Sequence, residues 1–449
     1  MSVTGFLLRD LQRPSFVGDG VGYYAPLASM LVDGDLELRN ELAHLNPRYV
    51  RAAFMTPDGR LGNPFPVGPA ILWAPGVFAA RFLPPHEGLD APLPLRMRTT
   101  HPGFAPRFAR VVQWTDMLLV LLGAGLLVAV LAKRAGPVLA AGTGLVCALG
   151  TPLFFYVLVD PSYGHAASFF AVSLLTSAAL IDRQRRLPLE LLGLLWGFVA
   201  LVRSQDVLLG VLLAPRLLDE WRSRREDPPS SRARALLRFL LPALLGFAPQ
   251  MLFWMRIYGT PLLVPPGPDF LPPWKPQVLP LLFSTWNGAF IWSPTLLVGL
   301  LGLFWVRDRS LRLAFAIALV LEVYSGSVIA DWWGGRAFGA RRLVSIAPIA
   351  MVGLAFLLQH LRRSRRMLAA LVLALTLGCF WSLRLAEYQR RGLLPPNPGS
   401  HADYVRHHAP GSKHARPYGL WDYPRLLSEI VDAERMLRAE TRRRDGRRF

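Results

Sequence analysis

ARVVQWTDMLLVLLGAGLLVAVLAKRAG, residues 109–136, decides the fold. Residues 109–132 form an apolar run longer than the roughly 18 residues that mark a candidate membrane span. The run ends on a basic pair, Lys133 and Arg134. Similar runs recur at about 137–158, 164–181, 236–257, 288–306, 311–330, 343–360 and 367–383. A longer block, 187–215, is interrupted by VRSQD, and another, 65–83, holds Pro66, Pro69 and Pro75. The pattern predicts an all-α polytopic membrane protein. Composition agrees: only 18% of the 449 residues are charged and 52% are hydrophobic, against about 25% charged in soluble domains.

The net charge of +20 does not point to nucleic acid, because the basic residues sit in short loops between apolar runs. Lys and Arg collect in cytoplasmic loops. With KRAG (133–136) inside, DRQRR (182–186), the loop 216–238, RDRSLR (307–312) and RRSRR (362–366) are inside too. These five loops carry 19 Lys and Arg, and the loops opposite carry six: Arg203, Arg256, Lys275, Arg336, Arg341 and Arg342. Two consequences follow. Block 187–215 enters and returns on the same side, with Arg203, Gln205 and Asp206 near the outer turn. A charged triplet there should face a polar cavity rather than lipid. Block 65–83, marginal in length and rich in proline, lies on or dips into the outer face, so residues 1–108 form an outer loop. Nothing before residue 18 can span or serve as a signal, so this arrangement expects a further span upstream; the other reading is a segment drawn across by the spans that follow it. Residues 109–385 form the bundle and 386–449 a basic tail.

The outer loop holds an unexpected concentration of acid: Asp19, Asp33, Asp35, Glu37 and Glu41 within 18–41. Residues 23–31 read as a short interfacial helix, with Tyr23, Leu27, Met30 and Leu31 on one stripe. Asp19 stands at its head, either as a helix cap or as a general base for a polar acceptor. Asp33 and Asp35 read as turn residues. Other outer segments bring Asp160 and His165 (VDPSYGHAAS, 159–168), and Asp331, Trp332, Trp333, Arg336, Arg341 and Arg342 (DWWGGRAFGARR, 331–342). Arginine suits phosphate. Acid and arginine converging at one membrane-level cavity suit a lipid-linked phosphate. GAGLLVAVLAKRAG (123–136) lies in a span, which argues against a nucleotide loop. HADYVRHHAPGSKH (401–414) lacks ordered metal-ligand spacing and reads as a solvated tail. Cys147 and Cys379 read as small buried residues.

These segments resemble, in order from about residue 16 to 350, the C-type glycosyltransferases, polytopic enzymes that use polyprenyl-phosphate-linked sugars. The likeness is to the bacterial group of protein O-mannosyltransferases and lipid A aminoarabinose transferases. GDGVGYYAPLASMLVDGDLELRN (18–40) is similar to the family's acidic first-loop motif. NPFPVGPAILWAPG (63–76) is similar to its Pro-rich juxtamembrane segment, DPSYGHAASF (160–169) to its Glu-Pro-x-x-x-His-Ala segment and LVRSQD (201–206) to its Arg-x-Gln element. FSTWNGAFIWSPTLL (283–297) resembles a late loop-to-span junction, and DWWGGRAFGARRL (331–343) the final outer loop.

The resemblance implies a C-type glycosyltransferase fold with juxtamembrane helices in the first outer loop. It implies transfer of a sugar from the polyprenyl-phosphate donor to a glycan, lipid or protein acceptor, with inversion, at the periplasmic or outer face of the cytoplasmic (inner) membrane. Asp19 would be the base. Arg203, Arg336, Arg341 and Arg342 would hold the donor phosphate. Tyr23, Tyr24, His165, Gln205, Asp331 and Trp332 would line the site. The family's second acid is Gly20 here, so no metal site and no cofactor is expected; a divalent ion is possible but not favoured, with arginine in the cation's role. A family Tyr or Lys is Phe65. A transporter or lipid flippase, and a catalytically silent scaffold of the same fold, are the alternatives; no nucleic-acid partner is expected.

Overall fold

A computed structural model describes residues 16, 18–43, 50, 54, 61–90, 101–263, 271–335, 337–394 and 421–445. They are helical, with no β-strand among them. Six helices are long and apolar enough to cross a membrane: Pro106–Ala135, His165–Asp182, Pro229–Tyr258, Arg309–Ser327, Arg341–Leu361 and Arg365–Arg390. The chain is a multi-pass membrane protein.

In chain order, α1 is Asp19–Val32, α2 Gly68–Arg81, α3 Pro106–Ala135, α4 Pro137–Gly150, α5 Leu153–Leu158, α6 His165–Asp182 and α7 Leu189–Val202. Beyond a 3₁₀ segment, Ser204–Leu213, follow α8 Ala214–Ser223, α9 Pro229–Tyr258, α10 Val278–Phe283, α11 Ala289–Trp292 and α12 Pro294–Leu301. Then come α13 Arg309–Ser327, a 3₁₀ turn Arg341–Ile346 leading into α14 Ala347–Leu361, α15 Arg365–Arg390 and α16 Tyr423–Asp445.

Three apolar blocks are not single helices. Block 137–158 breaks at Thr151–Pro152, where Thr151 turns extended (φ −119°, ψ 168°) and its Oγ1 donates back to Cys147 O at 2.7 Å. Block 288–306 is divided by Ser293–Pro294 into α11 and α12. Proline restricts the residue before it to extended backbone, which accounts for both breaks. Block 187–215 is a hairpin. Its arms touch where Trp196 Nε1 donates to Val207 O at 2.8 Å. Both arms return to one end, where Arg216 Nε is 3.3 Å from Asp182 Oδ1. At 14 residues, α7 is about 21 Å long and cannot cross a roughly 30 Å hydrocarbon layer alone.

The hairpin is bound to α9 by close backbone approach. Gly193 and Gly197 on α7 are spaced by four, and a Cβ on either would fall 2.0 Å from the carbonyl oxygen of Phe239 or Ala243. Small residues permit this contact between spans. The basic loops share one end of the bundle. Arg134 Nη2 donates to Leu180 O (2.8 Å), Gln359 Nε2 to Arg134 O (2.6 Å), and Arg183 pairs with Asp219 and Asp308 (2.9 and 2.8 Å).

At the other end α1 and α2 pack on the start of α3. The stripe on α1 differs from the sequence reading. Met30 is 46% exposed, whereas Tyr24, Ala25 and Ala28 are fully buried and Val21, Leu27 and Leu31 nearly so. The helix is thus enclosed by protein rather than laid on an interface, because Phe16, Phe104, Trp73 and Val77 cover it. Trp73 Nε1 donates to Asp116 Oδ1 at 2.7 Å with both side chains buried, fixing α2 to α3. The tail is also more structured than expected: α16 rests on α15 through Glu434, which pairs with Arg384 and accepts from Tyr388 Oη at 2.7 Å. The His-rich segment 401–414 lies outside the described residues. Cys147 is buried and Cys379 partly so.

Candidate functional site

Gly18 begins the site. Its φ of 50° is left-handed, a conformation that glycine adopts at little cost. It is the N-cap of α1, so Asp19 is the first helical residue and not the cap. Its negative charge suits the positive end of the helix. The carboxylate reaches outward: Asp19 Oδ2 lies 2.7 Å from Arg341 Nη1. The segment ahead of α3 thereby meets the one ahead of α14. The Arg341 side chain is 10% exposed and that of Asp19 29%, so the acid keeps a solvent-facing side.

The neighbours of this pair are aromatic. The Arg341 guanidinium lies 5.3 Å from the Tyr163 ring centre, a cation–π contact. Tyr163 stacks on His165 (6.2 Å, 11°), and His165 meets Tyr156 at 4.5 Å. Tyr156 Oη donates to Phe338 O (2.9 Å) and accepts from Phe338 N–H (3.0 Å), tying α5 to the last outer loop. Burial, and then the Asp19 charge, hold the Tyr163 phenol well above its usual range, so it stays neutral. Tyr23 is also pushed up by burial, and the charges that act on it are those of Arg203, Asp19, Arg341 and Asp206.

Close packing explains Gly20. A Cβ there would fall 2.0 Å from Ser162 Oγ, 2.9 Å from Ser162 Cβ and 3.2 Å from Ser162 C. A side chain at this position would therefore press on Ser162. Phe65 is likewise occupied, 4.9 Å from the Tyr23 ring.

Behind Arg341 lies a polar network inside the bundle. Arg203 Nη2 donates to Gln205 Oε1 (3.1 Å) and to Arg342 O (3.0 Å), and Nη1 lies 3.6 Å from Asp206 Oδ1. Gln205 Nε2 donates to Glu322 Oε2 (3.0 Å), which also accepts from Ser345 Oγ (3.2 Å). Ser168 Oγ donates to Asp206 Oδ2 at 2.5 Å. Asp206 and Glu322 are fully buried. The VRSQD triplet thus faces a polar interior rather than lipid, with partners supplied by α6, α13 and the turn before α14. Arg342 is bound to Asp331 by an ion pair.

Asp19, Tyr23, His165, Arg203, Gln205, Asp331, Arg341 and Arg342 thus belong to one contiguous region. Tyr24 and Trp332 point elsewhere. Tyr24 Oη donates to Gly103 O at 2.9 Å within the first-loop cluster, and Trp332 is buried against Trp333. Arg336 lies outside the described residues. Sequence reading missed Tyr156, Tyr163, Ser345 and Glu322. Glu322 had a signal: it is a lone acid inside an apolar run, which in a membrane points to function.

No protein-family model matches this chain, and neither a curated protein nor a solved structure does so.

Proposed function

We propose that the chain is a C-type glycosyltransferase that moves a sugar from a polyprenyl-phosphate donor to a polar acceptor, at the end of the bundle opposite the basic loops. That end is the periplasmic or outer face of the cytoplasmic membrane in this reading. One observation carries it: Asp19, Arg341, Tyr163 and His165 come together from segments far apart in sequence, and these are the segments that resemble the family.

The chemistry proceeds from the ion pair. In the resting protein Arg341 neutralises Asp19. A donor phosphate can take up the same guanidinium fork that the carboxylate uses. Once it engages Arg341, Asp19 is released and accepts the acceptor's proton as the acceptor attacks the anomeric carbon. The carbon–oxygen bond to the phosphate breaks, configuration inverts, and the departing phosphate stays paired with arginine. Tyr163, neutral and adjacent, fixes the guanidinium plane. Arg203 is already engaged by Gln205, Asp206 and the Arg342 carbonyl, so its part is to hold the last loop in place. No step here uses a metal.

A transporter is favoured by a different observation, the buried Asp206 and Glu322 on and beside a re-entrant hairpin. The test separates the two. Purified protein in lipid is given polyprenyl-phosphate sugars and an acceptor panel, and release of polyprenyl phosphate is followed. Wild type turns over, and Asp19→Asn loses roughly 10²-fold or more. Lipid or solute flux that persists in Asp19→Asn, with no turnover in wild type, would instead establish transport.

A further inference from the structure

The first outer loop holds a second group of side chains, apart from Asp19 and Arg341. Asp33 caps the end of α1, Glu41 lies in a one-turn helix, Arg39–Leu42, and His101 precedes α3. One ligand atom from each lies within 4.8 Å of the others. His101 Nε2 is 3.5 Å from Glu41 Oε1 and 3.8 Å from Asp33 Oδ2. A tetrahedral Zn²⁺ with bonds of about 2.0–2.1 Å sets its ligands roughly 3.3 Å apart. Those two edges need to contract by only a few tenths of an ångström.

Glu41 is the observation that points to a cation. Its side chain is fully buried, and neither carboxylate oxygen accepts a well-formed hydrogen bond, although His101 Nε2 stands 3.5 Å from Oε1. A buried carboxylate left so is costly unless a charge answers it. Asp33 Oδ2, the oxygen that faces His101, also accepts from Asn40 Nδ2 at 2.6 Å, and ligating carboxylates are commonly hydrogen-bonded in this way. His101 Nδ1 accepts from Gly103 N–H at 3.2 Å. In the metal-free protein the imidazole proton therefore sits on Nε2, facing the acids. Ligation through Nε2 requires that proton on Nδ1, and so gives up the hydrogen bond from Gly103 N–H.

We propose that Asp33, Glu41 and His101 bind one Zn²⁺, with water in the fourth position. One imidazole and two carboxylates suit zinc; calcium and magnesium prefer oxygen alone. The ion would tie the end of α1, whose head carries Asp19, to the foot of α3. It is a structural clip, and it holds whether or not the transferase reading does.

The test uses the whole protein in detergent, stripped with chelator and then titrated with Zn²⁺ against a chromophoric chelator. Co²⁺ serves as the spectroscopic probe. Wild type should bind one Zn²⁺ per chain, show tetrahedral Co²⁺ bands and melt at a higher temperature with metal than without. Asp33→Asn, at a partly exposed position, should fold and bind at least tenfold more weakly. Glu41→Gln should lose binding, and Asp19→Asn should bind as wild type does. Absence of saturable binding at one per chain, or equal affinity in wild type, Asp33→Asn and Glu41→Gln, would overturn the proposal.

Discussion

Gly20→Ala is the smallest change that reaches the site. The added methyl would start 2.0 Å from Ser162 Oγ, 2.9 Å from Ser162 Cβ and 3.2 Å from Ser162 C. Carbon atoms rest at about 3.5–4.0 Å. The hydroxyl can rotate away, but the Cβ and the backbone carbon cannot. Roughly 1 Å of separation must open between α1 and the turn Pro161–Tyr163. Over-packing of this kind costs about 1–3 kcal/mol. On the proposed function the same displacement acts on turnover, because Asp19 adjoins Gly20 and Tyr163 adjoins Ser162. A misplacement of about 1 Å can lower turnover roughly 10²-fold. The assay is a double-mutant cycle with Ser162→Gly, reading melting temperature and polyprenyl-phosphate release. Ser162→Gly removes both side-chain atoms of the clash and should recover part of the loss. Full activity and an unchanged melting temperature in Gly20→Ala would refute the packing argument. Equal losses with and without Ser162→Gly would refute its cause.

Three other outcomes are expected. Gly197→Ala puts a methyl 2.0 Å from Ala243 O and should destabilise the hairpin–α9 contact by about 1–3 kcal/mol, seen as a lower melting temperature; no change would show that the helices are not in backbone contact. Trp73→Phe removes the donor to buried Asp116 and should cost about 1–3 kcal/mol, with Trp73→Phe/Asp116→Leu recovering much of it. Glu434 is held down to about 2, first by the Tyr388 hydroxyl and then by Arg384. Its folded pKa is depressed, so its hold on α16 is whole above the ordinary glutamate value of 4.5 and is lost as pH falls through about 2. Tryptic cleavage of α16, normalised at each pH to an unstructured reference substrate, should thus be independent of pH between about 6 and 8, and faster in Glu434→Gln.

Much of the bundle was legible because span length and loop charge are local properties. The apolar run 109–132 became α3, and VRSQD marked the turn of a real hairpin. The misjudged blocks had their signals too: Pro152 and Pro294 both follow a residue that the ring forces out of the helix. What could not be read was pairing at a distance. Nothing in GDG or in GARR says that Asp19 and Arg341 are 2.7 Å apart. The stripe on α1 failed for a related reason. Amphipathic spacing tells which face is apolar, but not that Trp73 and Phe104 arrive to cover the rest. Glu41 and His101 lie 60 residues apart, and neither their proximity nor the burial of Glu41 is a property of sequence spacing.

The ion pair between the first loop and the last also sets an order of birth. Asp19 leaves the ribosome early; Arg341 follows more than 300 residues later. At about 5–20 residues per second, roughly a quarter of a minute to a minute separates them. The early loop can already bury Tyr24, Trp73 and Phe104 among themselves, with Asp116 fixing Trp73 from α3. Its contact with Arg341 forms only when the final spans insert. Proteins interrupted before residue 341 would carry the packed first loop without the Asp19–Arg341 pair, so on the proposed function no half-assembled chain could react.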